Sequence, residues 1–300
     1  MSGNKGIAAV VLNYKTWRDA VNCVSDLKSQ DHENKHIVVV DNGSGNDSAE
    51  ELKKLYAEDP MVTVLVSEKN LGFARGNNIG IRYAHEKLGY DTVFVVNSDV
   101  RIENGLFAAA ASHPIDGVGA ISPTVLLPEG EPQPYSVSCE EIGRHSRRSI
   151  RNLIKANIAA LPPVIPIYEQ RAQKRRRRAG AEESGYTARK WILQGCAYFL
   201  TPEFFRHYRG LYPRTFLYWE EIDLLLMLKK AGLGSAVIKT PAVTHYGKGS
   251  TKNVSRNVNL FRLRQSNRSM IRSLPLIFGM SEKRAARCVS NSPEFISPIE

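Results

Sequence analysis

Four short apolar runs in the N-terminal part of the chain end abruptly in polar residues, and helix-forming segments separate them. The runs are Ile7–Leu12, His36–Asp41, Met61–Val66 and Thr92–Val96. They are apolar almost throughout rather than alternating, which is typical of strands buried on both faces of a parallel sheet. Strands that alternate with helices at this spacing predict an α/β fold, with a mostly parallel sheet flanked by helices.

The intervening segments carry helix signals. Ser48 and Glu51 match the S-x-x-E capping box, which predicts a helix that Ser48 caps. A further helix is predicted over 74–88, ending at Gly89. In the second half, Thr201 and Pro202 predict the start of a short helix that ends at Gly210. "YWEEIDLLLMLKKAG" predicts a helix that ends at Gly232, "GSAVIK" predicts a strand, and the remainder is predicted to be a helical, basic C-terminal tail.

Composition excludes several classes of protein. No window approaches the roughly 18 uninterrupted apolar residues that a membrane-spanning helix needs, and Ile7–Leu12 is too short for a signal peptide. The cysteines lie far apart without a CxxC pair: Cys23, Cys139, Cys196 and Cys288. This spacing favours reduced thiols in a cytoplasmic protein over a disulfide framework or a zinc site.

The basic charge is concentrated in one insertion. The chain has a net charge of +11, and residues 144–190 hold 13 Lys or Arg against 3 acids, a net +10. Basic residues on one face of the segment 147–158 and isoleucines on another are typical of a helix lying on anionic lipid, and Lys174–Arg178 adds a polybasic patch. An anionic membrane surface contacting 144–181 is therefore one interpretation, with peripheral attachment to the inner face of the cell membrane. A solvated loop without a partner is the other.

The arginine run does not predict a nucleic-acid partner. No RNA- or DNA-binding motif accompanies it, and aromatic residues do not interleave with Lys174–Arg178.

Polar clusters follow the predicted strands, where ligands bind in open parallel sheets. The clusters are Asn13-Tyr14, Asp41–Asp47, Asn70–Gly80 and Asn97–Val100. Turn chemistry explains each one singly, but together they predict one site. Asp41 can accept from ribose hydroxyls or a base N–H, or can serve as a local turn acceptor. The glycines of "NLGFARGNNIG" open a helix whose N-terminal amides favour an anion, and the missing GK[ST] ending excludes an ATPase loop.

Three further residues are candidates for chemistry. Asp99 is placed to hold Mg²⁺ or Mn²⁺, which take carboxylate and phosphate oxygens, or to cap the following turn. At 100° per residue Glu220 and Asp223 share a helical face, so Glu221 is expected to face a cleft while its neighbours cap and brace. His245 ends a predicted strand and joins these candidates.

In combination the segments resemble the inverting, GT-A fold glycosyltransferases of family 2, especially the rhamnosyltransferase-like branch. The matching pieces, in the family's order, are "VVLNY", "VVVDNGS", "NLGFARGNNIG", "VVNSDV", "FLYWEEIDL" with "KKAG", and "HYGKGS". They cover most of residues 6–126 and 190–250. The resemblance implies a nucleotide-sugar donor, with dTDP-rhamnose or a UDP-sugar expected, and a glycan or lipid-linked acceptor.

The resemblance also implies roles for the candidates. Glu221 is expected to be the catalytic base, and Asp99 and His245 to hold a divalent metal, Mg or Mn. The donor-binding residues are expected to be Asn13, Tyr14, Asp41, Asn42, Asn70, Gly72, Arg75, Asn78 and Asn97.

This sequence departs from the family pattern at three places. The metal motif reads Asn97-Ser98-Asp99 with one acid, which leaves the metal affinity open; the base is Glu221 instead of Asp; and Met227 stands where relatives commonly have Arg. We expect residues 1–250 to form a single GT-A catalytic domain. It comprises a nucleotide-sugar-binding half (1–127), the basic insertion (128–189) and an acceptor-binding half (190–250), and the tail (251–300) follows.

The expected chemistry is a single displacement with inversion, because an acceptor hydroxyl needs a carboxylate base and no second carboxylate suits a covalent intermediate. Two alternatives remain: a degenerate protein that binds the donor without turnover, and a sugar nucleotidyltransferase. The latter normally has a glycine loop with Arg or Lys near its N-terminus, which "VVLNYKTW" does not provide.

Overall fold

The computed structural model describes residues 4–133, 193–247 and 258–291. The strands are β1 (Asn4–Asn13), β2 (Lys35–Asp41), β3 (Val62–Val66), β4 (Tyr90–Asn97), β5 (Val100–Ile102), β6 (Val118–Leu126), β7 (Ala197–Leu200) and β8 (Gly234–His245). The helices are α1 (Trp17–Lys28), α2 (Ser48–Tyr56), α3 (Phe73–Arg82, continued by a π turn over Tyr83–Lys87), α4 (Leu106–Ser112), α5 (Pro202–Phe205), α6 (Glu220–Lys230), α7 (Val258–Phe278) and α8 (Glu282–Ser290).

All of these strands form one sheet in the order β3-β2-β1-β4-β7-β6-β8-β5. β1 to β4 are parallel to one another, and β6 is parallel to β8, whereas β7 runs antiparallel to both β4 and β6. β5 pairs antiparallel with β8. The predicted α/β class and mostly parallel sheet are confirmed.

Helices cover both faces of the sheet. Because successive side chains of a strand point to opposite faces, Ala8 and Val10 of β1 join one buried cluster, and Ala9 and Val11 join the other. The first cluster packs against α3, α6 and the C-terminal helices, and the second against α1, α2 and α4. Apolar runs without alternation therefore correspond to strands buried on both sides.

The described C-terminal helices pack on this core. Leu276, Ala285 and Val289 are fully buried in the cluster that contains Ala8 and Val10. The Arg82 guanidinium of α3 also donates to the Val289 carbonyl. The division into a catalytic domain and a tail stays a prediction, but α7 and α8 complete one face of the sheet.

Two local predictions are wrong. The N-cap of α2 is Asp47, because Ser48 already has helical backbone, and the Ser48 hydroxyl has no hydrogen-bond partner. The short helix after Thr201 ends at Phe205 instead of near Gly210. The predicted end of α6 is confirmed, since Gly232 has a φ of 73°.

The segment 144–181, for which membrane contact is expected, lies outside the described residues. Within the described ranges, no helix is both long and apolar enough to cross a membrane.

Candidate functional site

A cavity of about 300 Å³ opens at the carboxyl ends of β1, β2 and β4. The register places these ends side by side, because Asn13 is opposite Asp41 and Leu12 is opposite Asn97. The predicted site residues that line the cavity are Tyr14, Asn42, Asn70, Gly72, Asn97, Asp99, Glu221 and His245. Residues separated by more than a hundred positions in the chain thus converge on one space.

Amide side chains build one wall of the cavity. The Asn42 Nδ2 donates to Asn70 Oδ1 and to the Gly72 carbonyl, both at 3.2 Å, and Gly72 N donates to Asn70 Oδ1 at 2.9 Å. Gly72 has a φ of 81°, and a Cβ there would lie 2.2 Å from the Phe216 carbonyl oxygen. Glycine is therefore required where the start of α3 meets the loop before α6.

Asn13 and Asp41 do not line the cavity. Both are almost fully buried, and Asn13 Nδ2 donates to Asp41 Oδ2 at 2.7 Å. Asp41 also accepts from Ser44 N at 3.0 Å and from Ser44 Oγ at 2.6 Å. These contacts use both carboxylate oxygens to brace the turn after β2, which corresponds to the local turn role weighed for Asp41.

Arg75 and Asn78 also lie outside the lining, contrary to the expectation. Phe73 of α3 faces the cavity. Because each helical residue turns by about 100°, Arg75 lies about 200° around the helix axis from Phe73, on the side away from the cavity. Asn78 is buried, donates to the Leu211 carbonyl at 2.9 Å and accepts from Leu211 N at 2.6 Å. Its amide therefore fastens α3 to the segment after α5.

Strand pairing places His245 beside Asp99. His245 is opposite Val100 in the β5–β8 pair, and Tyr246 N donates to the Asp99 carbonyl at 3.1 Å. The His245 Nε2 lies 3.5 Å from Asp99 Oδ1. Burial lowers the pKa of His245, but hydrogen bonds with Asp99 and Cys196 outweigh it and raise this pKa to about 10.

This pair has the donor chemistry of a cation site that needs ligands from elsewhere. Among the described residues, no group of three or more His, Cys, Asp or Glu side chains is arranged to hold a metal ion. The Asp99 carboxylate fits Mg²⁺ or Mn²⁺ when phosphate oxygens complete the coordination, and the His245 imidazole can join it only after losing its proton. A closed structural zinc site, which needs four protein ligands, does not fit.

Two glutamates from the start of α6 line the opposite side of the cavity, although only Glu221 was expected there. Gly195 N donates to Glu221 Oε1 at 3.2 Å. Burial raises the pKa of both carboxyls, and the charge of Glu221 raises the pKa of Glu220 further, well above its usual value. Both carboxyls therefore hold a proton more readily than an ordinary glutamate, and the Gly195 amide fixes the position of the Glu221 carboxylate.

Asp223 does not line the cavity. It is 2% exposed, and burial raises its pKa to about 8, and the bracing role expected for it stays a prediction.

Sequence reasoning missed several lining residues. They are Leu12, Phe73, Ser98, Gln133, Gln194, Gly195, Cys196, Phe216, Leu217, Tyr218, Glu220, Gly247, Phe261 and Arg262. Ser98 stands inside a quoted motif, so strand-end reasoning could have found it, whereas Gly195 lies just before β7, a strand that was not predicted. Arg262 carries no local signal, because it is one of many arginines in a basic tail.

Comparisons with known proteins identify the family of this chain. The family model described as Glycosyl transferase family 2 matches residues 8–174. The low-salt glycan biosynthesis hexosyltransferase Agl10 of Haloferax volcanii is 31% identical over 127 residues, which are 42% of this chain and 38% of that protein. The N-acetylglucosaminyl-diphospho-decaprenol L-rhamnosyltransferase of Mycobacterium tuberculosis is 28% identical over 227 residues, 72% of this chain and 67% of that protein.

A solved structure shares the fold. The mannosyltransferase PcManGT from Pyrobaculum calidifontis, in complex with GDP-Man and Mn²⁺, superposes with a TM-score of 0.53 at 13% identity, covering 97% of this chain and 75% of that one. The likeness confirms the expected GT-A fold. The match to the first of the relatives spans little more than a third of that relative's length.

Proposed function

The chain belongs to glycosyl transferase family 2, and from this we propose that it transfers a sugar from a nucleotide diphosphate sugar to a hydroxyl group, with inversion at the anomeric carbon. The observation that carries the proposal is that Asp99 and Glu221 line the same cavity. One carboxylate can hold a cation beside a diphosphate, and the other can take a proton. The acceptor that we propose is a glycan or a lipid-linked sugar.

Glu221 is the proposed catalytic base. A hydroxyl that attacks the anomeric carbon must lose its proton to a group within about 3 Å. The Gly195 amide holds one oxygen of Glu221 in place, and Glu221 lines the cavity, where its carboxylate can meet an acceptor.

The diphosphate of the donor would lie between the N-terminus of α3 and the Asp99–His245 pair. Gly72, Phe73 and Asn70 form this part of the wall, and the positive end of the α3 dipole favours an anion. A divalent cation, Mg²⁺ or Mn²⁺, is proposed at Asp99 and His245. When bound, it would neutralise charge on the departing nucleotide diphosphate.

Arg262 of α7 is the proposed protein counter-charge for the diphosphate. It is exposed, and it is the only Arg or Lys among the described residues that line the cavity. Asp99, Glu220 and Glu221 contribute acidic groups to the same lining. Without Arg262 a diphosphate would meet these acids with little positive charge from the protein.

The donor that we propose first is dTDP-rhamnose, with UDP-sugars as the alternative. The Mycobacterium tuberculosis relative is named a rhamnosyltransferase, and its match covers more of this chain than that of Agl10. Asn13 and Asp41 would then support the nucleoside-binding turn from behind, and Tyr14 and Asn42 would contact the nucleotide from the lining.

The basic segment 144–181 remains a proposed contact with an anionic membrane surface, which suits a lipid-linked acceptor. Equal binding to acidic vesicles after deletion of Arg144–Ala181 would contradict it.

A nucleotide-sugar panel tests the proposed function. We expect release of nucleoside diphosphate from one donor, dependent on Mg²⁺ or Mn²⁺ and abolished by a chelator. Glu221→Gln removes the base while keeping its size, so it should lower transfer by at least about a hundredfold and leave the donor dissociation constant within about twofold. If the protein binds the donor without turnover, neither the wild type nor Glu221→Gln will release nucleoside diphosphate.

A further inference from the structure

Gln133 lines the cavity and contacts two other residues of its lining, and it has received no role so far. We propose that Gln133 is a positioning residue for His245: its side-chain oxygen holds the hydrogen on His245 Nδ1 and thereby directs Nε2 toward Asp99. This inference rests on the proposed function and deepens it, because it names the residue that sets the geometry of the proposed cation site.

The main chain brings Gln133 to the end of β6. Gln133 N donates to the Val125 carbonyl at 2.7 Å, so the chain folds back along the last residues of this strand. Val125 is opposite Val243 in the parallel β6–β8 pair, and β8 ends two residues later at His245. The backbone therefore places Gln133 at the same end of the sheet as His245.

The side chain of Gln133 makes two hydrogen bonds at this place. Its Oε1 lies 3.3 Å from His245 Nδ1, and its Nε2 donates to Gln194 Oε1 at 3.0 Å. Because the NH₂ end of the carboxamide faces Gln194, the oxygen end faces the imidazole. An amide oxygen can only accept a hydrogen bond, so Nδ1 must be the donor.

An acceptor at Nδ1 determines which nitrogen of the neutral ring carries the hydrogen. A neutral imidazole has one N–H and one bare nitrogen, and the hydrogen bond made by one of them fixes the other. With Nδ1 donating to Gln133, the bare nitrogen is Nε2, which lies 3.5 Å from Asp99 Oδ1. The Cys196 thiol also contacts the ring, but sulfur is a weak hydrogen-bonding group. The neutral ring is thus arranged to offer Nε2 beside the Asp99 carboxylate.

The partner that anchors Gln133 belongs to the segment that positions the proposed base. Gln194 precedes Gly195, and the Gly195 amide donates to Glu221 Oε1 at 3.2 Å. His245 lies on one side of the Gln133 carboxamide, and this segment lies on the other. One side chain therefore connects the proposed cation site with the segment that holds Glu221.

The contacts of Gln133 serve the cavity more than the stability of the fold. Gln133 is partly exposed and belongs to neither buried apolar cluster. Its main-chain bond to Val125 does not depend on the side chain, so replacing the carboxamide should leave the fold in place. What the replacement removes is the acceptor at His245 Nδ1, and the imidazole is then free to rotate or to carry its hydrogen on Nε2.

Mn²⁺ binding to the full chain, in the presence of UDP or dTDP, tests the inference. The measurement is the loss of the electron paramagnetic resonance signal of free Mn²⁺, which needs no turnover. Gln133→Met keeps the length of the side chain and removes its hydrogen-bonding atoms. Because removing the acceptor behind a metal-binding histidine typically costs about ten- to a hundredfold in metal affinity, the Mn²⁺ dissociation constant should rise by that factor.

Gln133→Ala should raise the Mn²⁺ dissociation constant in the same way, and it covers the case in which Gln133→Met fails to fold. The midpoint of urea unfolding should stay near that of the wild type in the folded variant.

A double-mutant cycle shows whether Gln133 acts through His245. His245→Ala should raise the Mn²⁺ dissociation constant at least as much as Gln133→Met. Adding Gln133→Met to His245→Ala should then change the constant by no more than about twofold, because the two residues act as one unit. If each substitution keeps its full effect in the double variant, Gln133 acts in another way and the inference is overturned.

Thr124→Val is the matched control. Thr124 also belongs to the β6 region and donates a side-chain hydrogen bond, to the Ile238 carbonyl at 3.2 Å, but it does not line the cavity. Its replacement should leave the Mn²⁺ dissociation constant unchanged.

Two further results would overturn the inference: an unchanged Mn²⁺ dissociation constant in both Gln133 variants, or a wild type that binds no Mn²⁺ with either nucleotide. Release of nucleoside diphosphate from a donor of the panel would still leave the proposed sugar transfer standing. If no donor is turned over, the proposed function itself fails, and the inference fails with it.

Discussion

Gly195 and Glu221 both line the cavity and are in direct contact with each other. The Gly195 amide donates to Glu221 Oε1 at 3.2 Å, and a Cβ on Gly195 would lie only 2.4 Å from that oxygen. The backbone just before β7 therefore sets the position of the proposed base, and the absence of a side chain at 195 is what lets the carboxylate approach.

Gly195→Ala should displace the Glu221 carboxylate. Because misplacing a catalytic group by about 1 Å can cost about a hundredfold in rate, we expect kcat to fall by about ten- to a hundredfold with donor affinity retained. Gly234→Ala is the control, since a Cβ there would meet only the Gly117 carbonyl oxygen at an ordinary 3.6 Å. Unchanged kcat in Gly195→Ala would show that Glu221 is not the base or that the contact does not position it.

The pH profile of transfer should carry the ionisation of Glu221. A general base works only when deprotonated, and burial raises its pKa. Activity should therefore fall as the pH is lowered through a value above that of an ordinary glutamate, by about tenfold per pH unit below it. The measurement is kcat against pH in single-turnover conditions. The residual activity of Glu221→Gln should lack this acid limb, and an identical limb in both proteins would assign it to another group.

Arg262→Ala should weaken donor binding. Losing one charge-assisted contact to a phosphate costs about 1.5–3 kcal/mol, so the donor dissociation constant should rise by roughly ten- to a hundredfold, and binding should depend less on salt. Arg264→Ala serves as the control, because Arg264 is exposed on the same helix but does not line the cavity. Equal effects of the two substitutions would indicate that Arg262 acts through the overall positive charge of α7 and not through a contact in the cavity.

Asn78→Ala should affect stability and not donor recognition. The substitution leaves the N–H and the C=O of Leu211 without partners in a buried region, and each unsatisfied group costs about 1–3 kcal/mol. We expect a clear drop in the midpoint of urea unfolding. The donor dissociation constant of the folded protein should stay within about twofold of the wild type. A large loss of donor affinity without loss of stability would restore the role first expected for Asn78.

The strand ends were predictable because apolar runs and their polar termini are local features. Tyr14, Asn42, Asn97 and Asp99 each follow such a run, and parallel pairing then brings them to one edge. The same reasoning could not separate residues that face the cavity from residues that support it. Asp41 is turned into the fold, although it also ends a strand.

Side chains within the glycine-rich segment and the later loops were harder to place. The family resemblance grouped Arg75 and Asn78 with Asn70, but the structure has neither of them in the lining of the cavity. The loop before α6 depends on left-handed backbone at Tyr218 and Trp219, and neither residue type signals this conformation. Phe261 and Arg262 reach the cavity only through the packing of α7, which is a long-range contact.

The reversed direction of β7 has a mechanical consequence. Val96 of β4 pairs with Ala197, and Asn97 N donates to the Cys196 carbonyl at 2.9 Å. The strand that leads to Asp99 is thus joined by main-chain hydrogen bonds to β7 in the middle of one continuous sheet, and Gly195, just before β7, contacts Glu221. We therefore expect substrates to enter and leave through movements of the segments that connect the strands. We do not expect the two halves of the sheet to move apart.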